Sequence, residues 1–200
     1  MKLQTPSGKF LVNTNNPMFT AQLVSSGDEL QQILNLQKQN LSAGLSKSEQ
    51  SEQGFVTVQH DLAALETMHR FAPSIIIKDK SAVIAYSLAM VRECRQLTPQ
   101  IEPMFALFDT LSWHNKPLND YRFYVMGQIC VAKAYRGQGL VNIMYKSHKM
   151  FYQPNFDLLI TEIATRNQRS MRAHQKAGFK TIHVYTDDLD EWAVVAWDWT

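Results

Sequence analysis

A segment rich in apolar and aromatic residues, 121–131, leads into Tyr135-Arg136-Gly137-Gln138-Gly139-Leu140-Val141, and this constrains the chain more than any other feature. The run predicts a strand. The residues after the turn (Leu140, Ile143, Met144, Ser147 and Phe151) recur at the spacing of one helix face and predict a helix over 139–152. Glycines in such a turn allow positive φ and let a ligand approach the backbone. The helix start presents backbone N–H groups at the positive end of its dipole, where a phosphate or pyrophosphate binds. No Lys-Ser/Thr pair follows the last glycine, so this is not a Walker loop. The third glycine and the strand-ending acid of a dinucleotide fingerprint are also missing.

About thirty residues downstream come Asn167-Gln168-Arg169-Ser170 and His174-Gln175-Lys176-Ala177-Gly178-Phe179. With this second block the segment 121–200 resembles the GCN5-related N-acetyltransferase (GNAT) family. The family's cofactor motif is Gln/Arg-x-x-Gly-x-Gly/Ala; Arg136 and Gly139 match it, and Val141 stands where Gly or Ala is usual. The later motif is Asn, a small residue three on, an aromatic or His seven on, then Gly-Phe. It is met by Asn167, Ser170, His174 and Gly178-Phe179. The first half of the chain resembles the family only in outline.

The resemblance implies a mixed α/β fold: a central, mostly antiparallel sheet flanked by helices on both faces. It implies acetyl-CoA as acyl donor, no metal, and direct attack by the amine of a small molecule or peptide in a ternary complex. It further implies that the strand end Ile129, Cys130 and Val131 receives the pantetheine arm through backbone hydrogen bonds, as an added strand would. The backbone of Arg136, Gly137, Gln138, Gly139, Leu140 and Val141 would hold the pyrophosphate, with the Arg136 side chain adding charge. Asn167 would contact the cofactor arm, and Ser170 and Lys176 its far half. His174 stands where many relatives carry a tyrosine acid and is the candidate donor to the departing thiolate; the competing reading is a helix residue facing the sheet. Gln128, where relatives often carry a carboxylate base, cannot act as one. Glu162 in the neighbouring strand is the remaining candidate base, acting through water, or else a solvent-facing strand residue.

Two hundred residues fit one domain with a real core, and a single domain over 1–200 is expected. A net charge of +2, without a basic cluster, argues against a nucleic-acid partner. Two cysteines far apart, Cys94 and Cys130, support neither a disulfide framework nor a metal cluster. His60 and His69 have no second cluster to complete a metal site. Cys130 reads as a buried strand thiol rather than a nucleophile. The N-terminus lacks an apolar signal core, and the longest apolar run is too short to span a bilayer. A soluble cytoplasmic protein without a membrane partner is therefore expected. Trp192, Trp197 and Trp199 read as core or as an oligomer face, so a homodimer is possible.

Along the rest of the chain, residues 1–20 read as an arm with a short strand near 10–12. A strand is expected over 21–25. A helix capped by Ser26-Gly27-Asp28 carries Leu30, Ile33, Leu34, Gln37 and Leu41, and 42–54 reads as a loop. Asp61 starts a helix with Leu62, Leu65 and Met68 on one face. Strands 74–78 and 82–91 form a hairpin through Lys78-Asp79-Lys80-Ser81. The connection 96–120, with a short apolar helix over 104–111, is long, aromatic and proline-bearing, and is expected to cover the acceptor site, or else to be a structural insertion packing on the outer sheet face. Phe55, Tyr86, Phe105, Phe108 and Trp113 are candidates to line that pocket, or else core. Strand 156–164, helix 168–177, strand 180–185, an acidic turn and strand 192–199 complete the chain.

The alternatives to an acyltransferase are a non-catalytic acyl-CoA-binding or sensing module, which Gln128 favours, and a phosphate-binding scaffold.

Overall fold

A computed structural model of the chain describes residues 19–41, 56, 58–97 and 101–200. The expected strand near 10–12, the loop over 42–54 and Phe55 lie outside these residues. Seven strands form one sheet: β1 (Ala21–Leu23), β2 (Ile75–Asp79), β3 (Ala82–Met90), β6 (Phe123–Val131), β7 (Leu158–Ala164), β8 (Lys180–Thr186) and β9 (Glu191–Asp198). Their order is β1-β2-β3-β6-β7-β9-β8, and every pairing is antiparallel except β6 with β7. A small second pair, β4 (Ser112–Trp113) and β5 (Lys116–Pro117), stands apart. The helices among the described residues are α1 (Gly27–Lys38), α2 (Leu62–Phe71), α3 (Glu102–Phe108), α4 (Leu140–Tyr152) and α5 (Gln168–Ala177). This is the expected mixed α/β architecture.

The local chemistry explains the element boundaries. Ser26 caps α1 by accepting from Glu29 N, and Asp61 caps α2 by accepting from Ala64 N. Of the expected α2 face, Leu65 and Met68 are buried but Leu62 is exposed, because it is the first helical residue and lies off the sheet. The β2–β3 hairpin turns at Lys80, which takes a left-handed φ of 54°.

The two sheet faces are told apart by neighbouring β3 residues. Tyr86 reaches toward α1, where Gln37 and Tyr86 both donate to Gln128 Oε1. Ser87 reaches the opposite way, to His148 of α4. His148 is fully enclosed, and burial pushes its pKa down to about 3. It links Ser87 Oγ at 2.6 Å and Tyr124 Oη at 2.8 Å. A neutral imidazole that satisfies two buried hydroxyls ties α4 to β3 and β6.

The connection 96–120 joins β3 to the beginning of β6. β3 and β6 are antiparallel, with Met90 opposite Val125, so the chain leaves β3 beside the beginning of β6. The nine residues of β6 then separate it from Val131 by about 25 Å. Phe105 and Phe108 are buried, Phe108 lies edge-on to Phe123 at 6.2 Å, and Trp113 Nε1 donates to Asp198 Oδ2 at 2.8 Å. Arg95 pairs with both Glu102 and Asp109. These buried contacts support a structural insertion, the alternative to a cover for the acceptor site. Phe108→Leu should therefore cost about 1 kcal/mol and lower the melting temperature by roughly 2–4 °C, with no change in ligand affinity. A changed affinity with unchanged melting would return the segment to the site.

Candidate active site

The site begins where the sheet comes apart. β6 and β7 pair only from Phe123 opposite Leu158 to Val125 opposite Ile160. Thr161 Oγ1 then donates to Met126 O at 2.8 Å, the last tie between the two strands. Just past it β6 carries one extra residue relative to β3: Ala89 stands opposite Met126 and Ser87 opposite Ile129, leaving Gly127 and Gln128 against Leu88. Such a bulge bends and twists its strand. Among the described residues, β6 pairs with β3 alone from Gly127 to Val131, so its edge toward β7 has backbone groups without a strand partner there.

Gln128 holds the bulge. Its Oε1 accepts from Gln37 Nε2 at 2.9 Å and Tyr86 Oη at 3.1 Å, and its Nε2 donates to Val58 O. Gln37 Oε1 in turn accepts from His60 N at 3.0 Å. The amide clasps α1, β3 and the 58–60 strap to one point, and both its ends are used. A carboxylate would lose the contact to Val58. Spacing gave no signal of this clasp, because its members lie as far as 91 residues apart.

β6 ends in a 3-10 turn, Lys133–Tyr135, and then the two-glycine loop. Gly137 has φ 78° and Gly139 φ 81°, the left-handed region that glycine supplies cheaply. Gly139 is the N-cap of α4 and has no side chain to satisfy the first-turn N–H groups, which remain available to an anion. Tyr135 anchors the loop by donating to Asp79 Oδ2 at 2.8 Å. Arg136 Nε donates to Val131 O at 3.1 Å, and its Nη2 donates to Asn40 Oδ1. This guanidinium braces the loop against the end of α1. Gln138 Nε2 donates to Ala134 O at 3.2 Å, and its side chain is turned away from the cavity described next.

The second motif is a capped helix. Asn167 Oδ1 accepts from Ser170 N at 3.2 Å as the N-cap of α5. Gly178 ends the helix at φ 109°, with Gly178 N bonded to Gln175 O and Phe179 N to His174 O. These two bonds make a Schellman turn. A Cβ on Gly178 would stand 2.9 Å from Trp197 Nε1, so glycine is required there for space as well as backbone angle.

Between the open β6 edge, the glycine loop and α5 lies a cavity of about 690 Å³. Ile129, Cys130, Val131, Arg136, Gly137, Gly139, Leu140, Val141, Asn167, Ser170 and Lys176 line it, so these expected cofactor residues converge. Asn142, Tyr145, Arg169 and Arg172 also line it and were not singled out from the sequence. Among the described residues the lining holds four cations, Arg136, Arg169, Arg172 and Lys176, and no carboxylate. In a chain of net charge +2, that is a strong local bias toward a polyanion. Burial pushes the Cys130 thiol up to about 12, which keeps it protonated and unreactive. Among the described residues no His, Cys, Asp and Glu group is arranged to hold a metal ion.

The two expected catalytic residues part company here. His174 does not line the cavity. It is buried, edge-on to Tyr145 at 5.2 Å and to Phe179 at 4.9 Å. Its Nδ1 lies 2.8 Å from Ser170 O. A carbonyl only accepts, so Nδ1 carries the proton and Nε2 has none while the ring is neutral. Burial pushes its pKa down to about 4, so the ring stays neutral near pH 7. The one ring proton is engaged by Ser170 O and the residue lies outside the cavity, so the geometry favours the alternative of a helix residue facing the sheet over an acid. His174→Phe should keep kcat within roughly twofold of wild type, against the 10²-fold or greater loss expected for an acid.

Glu162 is the first β7 residue past the Thr161 tie, at the mouth of the split. Leu159 pairs with Tyr124, which faces α4; strand alternation therefore turns Glu162 to the α1 side, the side of Gln128. It does not line the cavity. Burial, with a smaller push from the Asp187 charge, raises its carboxyl to about 7, opposed by the hydrogen bond from Tyr185 Oη at 3.0 Å.

The chain matches no protein-family model and no curated protein. Solved structures do share its fold. The ribosomal-protein-S18-alanine N-acetyltransferase of Escherichia coli superposes with a TM-score of 0.59 at 10% identity, over 90% of this chain and 94% of the other. A GNAT-family acetyltransferase from Streptococcus agalactiae gives 0.62 at 12% identity, over 91% and 96%. A putative acetyltransferase from Salmonella typhimurium, solved with acetyl-CoA, gives 0.58 at 12% identity, over 90% and 94%. The fold is that of the GNAT acetyltransferases.

Proposed function

We propose that this protein is a cytoplasmic N-acetyltransferase that transfers an acetyl group from acetyl-CoA to an amine of a small molecule or peptide, with both substrates bound together. One observation carries the reading. Among the described residues, a β6 edge without a strand partner leads into a two-glycine helix start, in a cavity whose charged lining is cationic. Coenzyme A is an amide-bearing arm joined to a pyrophosphate, and the two parts of the cavity suit its two parts. The Tyr145 hydroxyl supports the same fit: it is buried in the wall with no hydrogen-bond partner among the described residues.

When bound, acetyl-CoA supplies an acetyl group activated as a thioester. The N–H groups of the β6 edge hold the arm and donate to the carbonyl oxygen as it gains charge. Glu162, poised near neutrality on the α1 side of the split, takes the proton lost by the attacking amine, directly or through water. Solvent at the open side of the cavity supplies the proton that the departing sulfur takes up. The phosphates are held on the α4 and α5 side and the base stands on the α1 side, so the strand split serves as the passage between them.

Calorimetric titration with coenzyme A, followed by thiol release over a panel of amines, tests the reading. Binding with amine-dependent release supports it. Binding without release favours the acyl-CoA-binding or sensing module, which the absence of a carboxylate at Gln128 also favours. No binding leaves the phosphate-binding scaffold.

A further inference from the structure

The cavity's cations are not equivalent. Arg136 is engaged by Val131 O and Asn40 Oδ1, partly buried inside the loop it braces. Arg169, Arg172 and Lys176 all come from α5 and all line the cavity with exposed side chains. Steps of three and four residues put them on one helix stripe. Ala173 and Ala177 line the cavity on the same stripe, and their small side chains leave room above the helix surface. His174, on the other side of the helix, is buried. Burial lowers the Arg136 pKa, and the nearby Arg169 charge lowers it further, so the loop and the start of this stripe face a common space. The loop N–H groups suit a diester pyrophosphate. A three-cation stripe beside them exceeds what those two charges need.

We propose that Arg169, Arg172 and Lys176 form a phosphomonoester site, through which the cavity selects coenzyme A by its 3′-phosphate over dephospho-coenzyme A. This rests on the coenzyme A reading above. The two ligands share the thiol, the amide arm, the pyrophosphate and the adenine. They differ by one group that carries nearly two negative charges at neutral pH. Arginine suits it, because its planar fork pairs with phosphate oxygens two at a time.

Calorimetry with the full chain tests the proposal, using coenzyme A and dephospho-coenzyme A at low and high salt. Wild type should bind coenzyme A roughly tenfold tighter or more, and the gap should narrow as salt rises. The double variant Arg172→Ala, Lys176→Ala changes two exposed side chains to the best helix former, so folding should be kept. It should lose most of the preference, because coenzyme A loses several-fold more affinity than dephospho-coenzyme A does. Equal affinities in wild type, or a preference that survives the double variant, would overturn the site and leave the coenzyme A reading intact. If neither ligand binds wild type, the coenzyme A reading fails and the proposal with it.

Discussion

Gly139→Asp should abolish coenzyme A binding, lowering affinity by 10²-fold or more, in a protein that remains folded. An ideal Cβ at this position meets nothing within 4 Å, so space permits the side chain. The backbone φ of 81° costs an L-residue about 1–2 kcal/mol, and aspartate is among the residues that tolerate this region best. The new carboxylate would also sit at the α4 N-terminus, where a negative charge returns part of that cost. What it cannot do is share the space with a phosphate: it would take the first-turn N–H groups and repel the anion they serve. Gly139→Ala is the control, since it imposes the same backbone strain without the charge. Calorimetry should show near-normal binding for the alanine variant and none for the aspartate. If the aspartate variant binds normally, the phosphates lie elsewhere in the cavity.

Glu162→Gln should lower kcat by about 10²-fold or more while leaving coenzyme A affinity unchanged. Glutamine keeps an oxygen to accept the Tyr185 hydroxyl but cannot take a proton. In wild type, kcat should rise with pH through about 7, as the carboxyl loses its proton, and the variant should lose that limb. Stability moves the opposite way. The folded pKa is raised, so the protonated carboxyl favours the fold; that contribution is fully present below pH 4.5 and is lost as pH climbs through about 7. The variant carries no such penalty. Its stability relative to wild type should rise across this window and level off above it, by on the order of 2 kcal/mol for a partly buried group. An advantage in stability with full turnover would make Glu162 a structural acid, and the base would have to come from water or from the acceptor.

The sequence by itself determined the parts of this protein whose physics is local. Glycines at 137 and 139, between a strand and a helix, allow a left-handed turn at the helix start, and both adopt it. The helix expected over 168–177 runs over Gln168–Ala177, and the Asn167 and Gly178-Phe179 that flank it in sequence form its cap and its end. Both signals sit within single elements, where hydrogen-bond geometry ties residue type to position. Only the tertiary structure decided which side of each element meets the ligand. His174 lies within its motif yet faces Tyr145 and Phe179 instead of the cavity, because the α5 stripe that turns outward is Arg169, Arg172 and Lys176. Gln128 looked like a missing base and proved to be a clasp, since its partners, Gln37, Val58 and Tyr86, come from three distant segments. The place of the 96–120 insertion, beside the beginning of β6, depends on the antiparallel β3–β6 register. The open edge itself arises from one extra residue at Gly127–Gln128 and from the pairing of β6 with β7 that stops at Val125, and neither shows until the strands are side by side.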